Sequence, residues 1–153
     1  MKIQVRQYQE NDLTPLMNVW EQANALAHPF LDHEFVEQVR TDIPKLYIPN
    51  SDTWVAEYST PPQESNETSS VLVGFISLLG SEVGAIFVLP EFHGKGIGQK
   101  LMDKARSLRG ELEVEVFKEN ALGRSFYEKY GFVDIEEKHH APSGQQVLRL
   151  QYT

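Results

Sequence analysis

The chain has 153 residues, 41% of them apolar and 24% charged, with no cysteine and a formal net charge of −8. That size suits one folded domain, 1–153, large enough to bury about two-thirds of its unfolded surface. The acidic balance argues against a nucleic-acid surface, and the lack of cysteine removes disulfides, thiolate metal sites and a Cys nucleophile.

The chain opens Met-Lys-Ile-Gln-Val-Arg, without the apolar core of a secretory signal, and no apolar run is long enough to span a bilayer. A cytoplasmic location and no membrane partner are expected. Lys2 to Gln7 alternates as a strand. Asp12 is placed to cap a helix carrying Leu13, Leu16, Met17, Trp20, Ala23, Asn24 and Ala27 on one stripe, with Pro15 inside the tolerant first turn. His28-Pro-Phe-Leu31 ends it. Asp32 is placed to cap a second helix, with Leu31 and Val36 as a hydrophobic staple. Phe35, Val39, Ile43 and Leu46 continue its apolar face, and Pro44 should kink or break it. Asp52 to Tyr58, Val71 to Leu79 and Val83 to Leu89 read as strands. Between the first two, 59–70 has nothing apolar to bury and reads as a mobile hairpin loop. Trp20, Tyr47 and Trp54 fit core patterns.

The most informative stretch is Phe87-Val-Leu-Pro-Glu-Phe-His-Gly-Lys-Gly-Ile-Gly98. A strand ends at a proline, three glycines follow at alternate positions, and a helix begins. Ile97, Leu101, Ala105 and Leu108 form its apolar stripe. Glycines at 94, 96 and 98 let the backbone turn sharply and aim successive N–H groups at one place. The free N–H groups and dipole of the helix N-terminus lie just behind, which makes a site for a pyrophosphate. A plain strand-to-helix turn would need one such glycine, or two. The spacing is no Walker loop, since Gly96 follows Lys95 where Ser or Thr is required. It is no dinucleotide fingerprint either, because position 99 is Gln and position 101 is Leu. In an acidic chain the anion must be held locally, by backbone N–H groups and cations such as Lys95 and Lys100.

Downstream, Leu112 to Phe117 alternates Leu and Val with Glu113 and Glu115, a strand with one buried face. Ala121 to Tyr130 is a helix, stopped by Gly131 with Phe132 as the apolar partner of a Schellman cap. Val133 to Lys138 and Gln146 to Tyr152 are the last strands. No internal repeat is present. The order of elements predicts an α/β (α+β, three-layer) domain.

Two motifs resemble the GNAT superfamily of acyl-CoA-dependent N-acyltransferases, in its small bacterial single-domain form. His93-Gly-Lys-Gly-Ile-Gly98 is similar to the family's acyl-CoA loop, with His93 where Arg or Gln is usual. Asn120-Ala-Leu-Gly-Arg-Ser-Phe-Tyr-Glu-Lys-Tyr-Gly-Phe132 is similar to its Asn-x-x-Ala-x-x-Phe-Tyr-x-x-x-Gly-Phe, with Gly123 in the usual Ala place. The likeness is weakest in the first fifty residues, where this family's acceptor specificity usually resides. The resemblance implies a mixed, mostly antiparallel sheet with helices on both faces, whose fourth and fifth strands splay to admit the pantetheine arm. It also implies cofactor contacts from Phe87, Val88, His93, Gly94, Lys95, Gly96, Ile97, Gly98, Gln99 and Asn120, with acetyl-CoA as the acyl donor.

Acyl transfer from a thioester to an amine needs a neutral amine and benefits from a proton donor for the thiolate. Without cysteine, direct attack in a ternary complex is favoured over an acyl-enzyme. Tyr127, one position round the helix from Phe126, is the candidate acid, and the family match sets it beside the thioester sulfur; the plain alternative is a packed aromatic. Asn120 is placed to orient the pantetheine amide, to cap the helix, or both. Glu82 is the candidate base, against a solvated loop carboxylate; Glu113 and Glu115 also read as a wet sheet face. His28 and Phe30, after the first helix, are the candidate acceptor residues, against a capping or surface histidine. No metal site is expected: adjacent His139 and His140 point to opposite strand faces, and His33-Glu34 lacks a second helical His. The expected activity is N-acetylation of a primary amine on a small molecule, amino acid or peptide. The alternatives are a non-catalytic acyl-CoA sensor on the same scaffold and a nucleotide-binding fold using the glycine loop. Monomer and homodimer both remain open.

Overall fold

The computed structural model describes residues 2–59 and 70–153. One seven-stranded mixed sheet runs through them in the order β1-β2-β3-β4-β5-β7-β6. Its strands are β1 (Lys2–Gln7), β2 (Asp52–Ser59), β3 (Ser70–Leu79), β4 (Glu82–Val88), β5 (Leu112–Phe117), β6 (Val133–His140) and β7 (Gln145–Tyr152). Four helices accompany it: α1 (Leu13–Ala27), α2 (His33–Asp42), α3 (Ile97–Arg109) and α4 (Ala121–Tyr130). Every neighbouring pair is antiparallel except β4 and β5.

The sheet is covered on both faces. β3 is buried at every position from Leu72 to Leu78, which requires apolar cover on both sides of its pleat. Both α1 and α3 pack against it. From α1 come Leu16, Val19 and Trp20; from α3 come Ile97, Leu101 and Met102, all buried. Helix α3 lies close because Gly74 has no side chain: a Cβ there would sit 3.2 Å from a Leu101 methyl.

The feature that positions a site is the β4–β5 pair. Its ladder holds only Glu82 opposite Glu113 and Val83 opposite Val114. Beyond that the two parallel strands part, and backbone groups that would have paired line a gap. A bulge at Gly84 contributes, since Ala85 faces Ser77 while Val83 already faces Leu78.

Several local expectations meet corrections. Asp12 does not cap α1. A 3-10 turn (Glu10–Asp12) precedes the helix, so Asp12 is already helical at φ −83°, ψ −9°. Its carboxylate instead takes a two-pronged ion pair from Arg6, at 2.8 and 2.9 Å, and the Gln9 N–H. Asp32 occupies the N-cap of α2 with an extended backbone, but its side chain makes no cap bond. Pro44 neither breaks nor sharply ends the second helix; the chain continues through a π-turn (Ile43–Tyr47). The residue inserted by that turn rotates the stripe, so Leu46 and Tyr47 are exposed and only Ile43 stays buried. Leu108 is likewise exposed at the end of α3. Gly131, at φ 121°, closes α4, with the Phe132 N–H reaching the Tyr127 carbonyl at 3.0 Å, as the Schellman cap requires. The expected loop at 59–70 lies, apart from Ser59 and Ser70 at the strand ends, outside the described residues.

Candidate active site

A cleft of about 640 Å³ opens where β4 and β5 part, within the range of small-molecule sites. Ile86, Phe87 and Val88 of β4 form one wall, the glycine loop and the start of α3 its mouth, and Asn120 with α4 the opposite wall. The loop takes the expected form. Gly94 and Gly96 sit at φ +78° and +79°, a left-handed conformation that side chains resist, and no protein atom lies within 4 Å of where a Cβ would project. The first intrahelical bond of α3 runs from Lys100 N–H to the Gly96 carbonyl. The N–H groups of Ile97, Gly98 and Gln99 therefore stand free at the positive end of the helix. Gly98 has a different reason: a Cβ there would meet the Phe126 ring at 3.0 Å, so its hydrogen lets α3 approach α4.

His93 folds its ring back, with Nε2 donating to the Val88 carbonyl at 2.9 Å. Of the two lysines expected to serve the anion, neither lines the cleft. Its cations are Arg106 and Lys129, with Asp103 and Tyr130 beside them. Sequence reading passed over all four. Arg106 falls in the third turn of α3, and only the packing of α4 across it turns those positions into a wall.

Tyr127 lies on the inner wall, buried and flanked by Phe126 and Phe132 at 5.5 Å each. Among the described residues its hydroxyl has no hydrogen-bond partner. Burial pushes the phenol well above its ordinary range, so it stays protonated at neutral pH.

Asn120 caps α4 and reaches further. Its Oδ1 accepts the Gly123 N–H at 2.9 Å, which leaves Nδ2 to donate to His28 Nε2 at 3.1 Å. The other His28 nitrogen, Nδ1, lies 2.7 Å from Asn24 Oδ1. Both partners fix the neutral Nδ1–H tautomer. Burial lowers the His28 pKa to about 4. Phe30, Phe87 and Phe117 meet its ring edge-on or nearly so, at centroid distances of 5.0 to 6.2 Å. Phe117, at the end of β5, is also flanked by Phe35 and His140 at 6.4 and 5.9 Å. The sequence put Phe35 on the apolar face of the second helix and gave neither Phe117 nor His140 a place at the site; the three come together because the first turn of α2 meets the ends of β5 and β6.

The structure does not bring Glu82 to the cleft. It is the first residue of β4, at the paired end, and bonds Arg149 at 2.7 Å. Arg149 also holds Glu113 and Glu115 at 3.2 and 3.0 Å. The three candidate carboxylates thus belong to one half-exposed ion cluster on the sheet face. His139 and His140 bond Gln146 and Ser143 separately, on opposite sides of β6.

A model of the "Acetyltransferase (GNAT) domain" family matches residues 49–134. Among characterised relatives, the peptidyl-lysine N-acetyltransferase YjaB of Escherichia coli is 30% identical over 132 residues, 86% of this chain and 83% of its own. The peptidyl-lysine N-acetyltransferase YiaC of the same organism is 26% identical, with 84% and 82% covered. The solution structure of apo-form YjaB superposes with a TM-score of 0.80 at 27% identity, covering 99% of this chain and 98% of that one. The PaiA N-acetyltransferase of Thermoplasma acidophilum, in complex with coenzyme A, superposes at 0.75 with 19% identity, covering 99% and 100%, a likeness of fold alone. With a glycine loop, a splayed strand pair and a family match over more than half its length, the chain belongs to the GNAT acetyltransferase family: it is an acetyltransferase that takes its acyl group from an acyl-CoA and delivers it to an amine.

Proposed function

We propose that this chain, as one domain over 1–153, moves an acetyl group from acetyl-CoA to the side-chain amine of a lysine in a peptide or protein. The reaction is direct attack in a ternary complex, and Tyr127 is the general acid. The observation that carries this reading is the Tyr127 phenol on the inner wall of the cleft whose mouth is the glycine loop, its ring buried and its hydroxyl without a hydrogen-bond partner among the described residues. The pyrophosphate lies on the N–H groups of Gly94 to Gln99, with Arg106 and Lys129 at the rim for further phosphate charge. The pantetheine arm follows Phe87 and Val88 into the gap, beside Asn120.

The amine comes from the other side of the splay, over Phe30 and His28. The exposed flanks of Phe35, Phe117 and His140 suit the methylenes of a lysine side chain. Relatives named as peptidyl-lysine N-acetyltransferases support this acceptor class. The nitrogen attacks the thioester carbonyl carbon, the C–S bond breaks, and the sulfur takes the Tyr127 proton. The product nitrogen loses its extra proton to solvent, and the Tyr127 phenolate takes one back from solvent, which restores the acid. Burial makes Tyr127 a weak acid, but it makes the departing thiolate more basic too, so the transfer remains matched.

Among the described residues no strong base stands at the gap. Glu82 is held by Arg149, and both His28 nitrogens are engaged. Deprotonating a free lysine, pKa about 10.4, costs about 4.6 kcal/mol at pH 7. Desolvation against Phe30, Phe87 and Phe117 lowers that cost by disfavouring the ammonium. Tyr127→Phe tests the reading: it keeps the packing and removes the proton. Acyl-CoA binding should persist while kcat falls by roughly 10²–10⁴. In the same assay Glu82→Gln should stay within about threefold of wild type, since the wild-type carboxylate is spent on a sheet-face ion pair. A Tyr127→Phe enzyme within threefold of wild type returns Tyr127 to a packed aromatic.

A further inference from the structure

We propose that Asn24, His28, Asn120 and Gly123 form a clasp that locks the first turn of α4 to the end of α1, with His28 as a positioning residue held neutral and not as a base. The clasp is also why position 123 has no side chain.

The direction of each bond follows from its neighbour. The Gly123 N–H can only donate, so it fixes Asn120 Oδ1 as the acceptor at 2.9 Å. The Asn120 amide then presents N–H to His28 Nε2 at 3.1 Å, and Nε2 must accept. His28 keeps its proton on Nδ1, 2.7 Å from the Asn24 oxygen. No lone pair of the ring is left to take a proton from substrate. Asn24 and Asn120 are both buried, so each broken link would strand a polar group away from water.

Position 123 explains itself in the same geometry. A Cβ on Gly123 would lie 2.5 Å from Asn120 Nδ2 and 3.2 Å from a Val116 methyl. The methyl of β5 blocks one escape, so an alanine could be accommodated only by turning the Asn120 amide away from His28. The Ala of the motif that this segment resembles would displace the Asn120 amide from the His28 bond, and this chain has Gly.

The clasp lies where the β4–β5 ladder is missing. His28 packs on Phe87 of β4 and Phe117 of β5, one from each side of the gap. Its bond to Asn120 ties those sides at the depth where backbone pairing has stopped. Asn120 and Tyr127 are seven residues apart, about two helical turns, and share a face of α4. Holding the first turn therefore fixes the tilt that places the Tyr127 hydroxyl.

Protonation would open the clasp, because Nε2–H would then face the Asn120 N–H₂. The groups that face His28 are Asn24 of α1, Phe30, Phe87, Phe117 and Asn120, all uncharged. Glu21, His33 and Arg40 line the shallow depression on its outer side, and Glu21 is paired with Arg40 at 2.6 Å.

Two-bond ¹H–¹⁵N spectra of the imidazoles in the full chain provide the first test. His28 should carry its proton on Nδ1 and stay neutral well below the ordinary histidine range of about 6.5. In Gly123→Ala it should titrate higher than in wild type, because a bond that favours the neutral ring is lost while the ring stays buried. The kcat of Gly123→Ala should fall about tenfold or more while KM for the acyl-CoA moves less than about threefold, as expected for a misplaced catalytic group. Asn24→Asp keeps the shape but stabilises the imidazolium, and its kcat should acquire an acidic limb between about pH 5.5 and 7.5 that wild type lacks. A wild-type proton on Nε2, a wild-type His28 that titrates near 6.5, or an Asn24→Asp profile like wild type's would each overturn the clasp. The kinetic arms rest on the acetyl-transfer reading, whereas the spectra do not, so a failure of that reading leaves the tautomer result standing.

Discussion

Burial acts on two rings at the gap and keeps both uncharged, with opposite chemical meaning. For Tyr127 the neutral form is the acid of the proposed reaction, so desolvation would preserve the proton which that step uses. For His28 the neutral form is the base, but its lone pair is already committed to Asn120. Desolvation there lowers the pKa to about 4, and this links stability to pH. The unfolded chain, with an ordinary histidine near 6.5, binds more protons than the folded one between these values. Stability from His28 is therefore complete above about pH 6.5, declines as pH falls, and is exhausted near pH 4, a loss of at most about 3 kcal/mol. Urea unfolding at pH 7 and pH 5 checks this: wild type should lose stability between them, and His28→Gln should lose clearly less. The Asp12 carboxylate, held low by Arg6, gives way only below its ordinary range near 4, so the two effects occupy different windows.

At the scale of elements, the glycine loop and α3 form the proposed anion site, and it is the backbone conformation that shapes it. Gly96 is the N-cap of α3 at φ +79°. A β-branched residue there is strained by about 1–2 kcal/mol or more and projects a side chain into the space that a phosphate would fill. Gly96→Val should fold with a modestly lower Tm and lose the thermal shift given by acyl-CoA; a variant that keeps the full shift would place the phosphate elsewhere. Gly98 reads the same in sequence but differs in kind, because Phe126 of α4 occupies the place of its side chain. His93 likewise supports the loop from within, through Val88. The second helix shows the reverse case. Its stripe of Phe35, Val39, Ile43 and Leu46 is regular in sequence, yet the π-turn at Pro44 turns Leu46 outward.

For the whole molecule, the proposed reading has an acidic chain bind a polyanion through a local arrangement of dipoles and the two cations that line the cleft, Arg106 and Lys129. Only the folded state assembles it. Acetyl-CoA at about a hundred times its Kd should therefore add about 2.7 kcal/mol of stability, seen as a raised Tm. NAD and ATP, which share the phosphates but not the pantetheine arm, should add clearly less; an equal shift from either would count against the gap between β4 and β5 as the arm's channel. No helix is long and apolar enough to cross a membrane among the described residues.

The sequence by itself determined the strands, the helices and the glycine loop, because those depend on short-range regularities: alternation, a 3.6-residue stripe, glycines where the backbone must turn left-handed. It also singled out Tyr127, Asn120 and His28, which stand at chain landmarks within or beside recognisable motifs. Tertiary structure alone decided what those residues touch. His28 and Asn120 are 92 positions apart, and nothing local to either announces their bond. Glu82 looked free in sequence because its partner Arg149 is 67 positions away, across a sheet whose strand order departs from chain order. Phe117 and His140 became one surface only when β5 and β6, on either side of β7, finished at the same end of the sheet. Side-chain roles of this kind are set by which strands neighbour and where a ladder stops, and that is a property of long-range packing which no window of sequence contains.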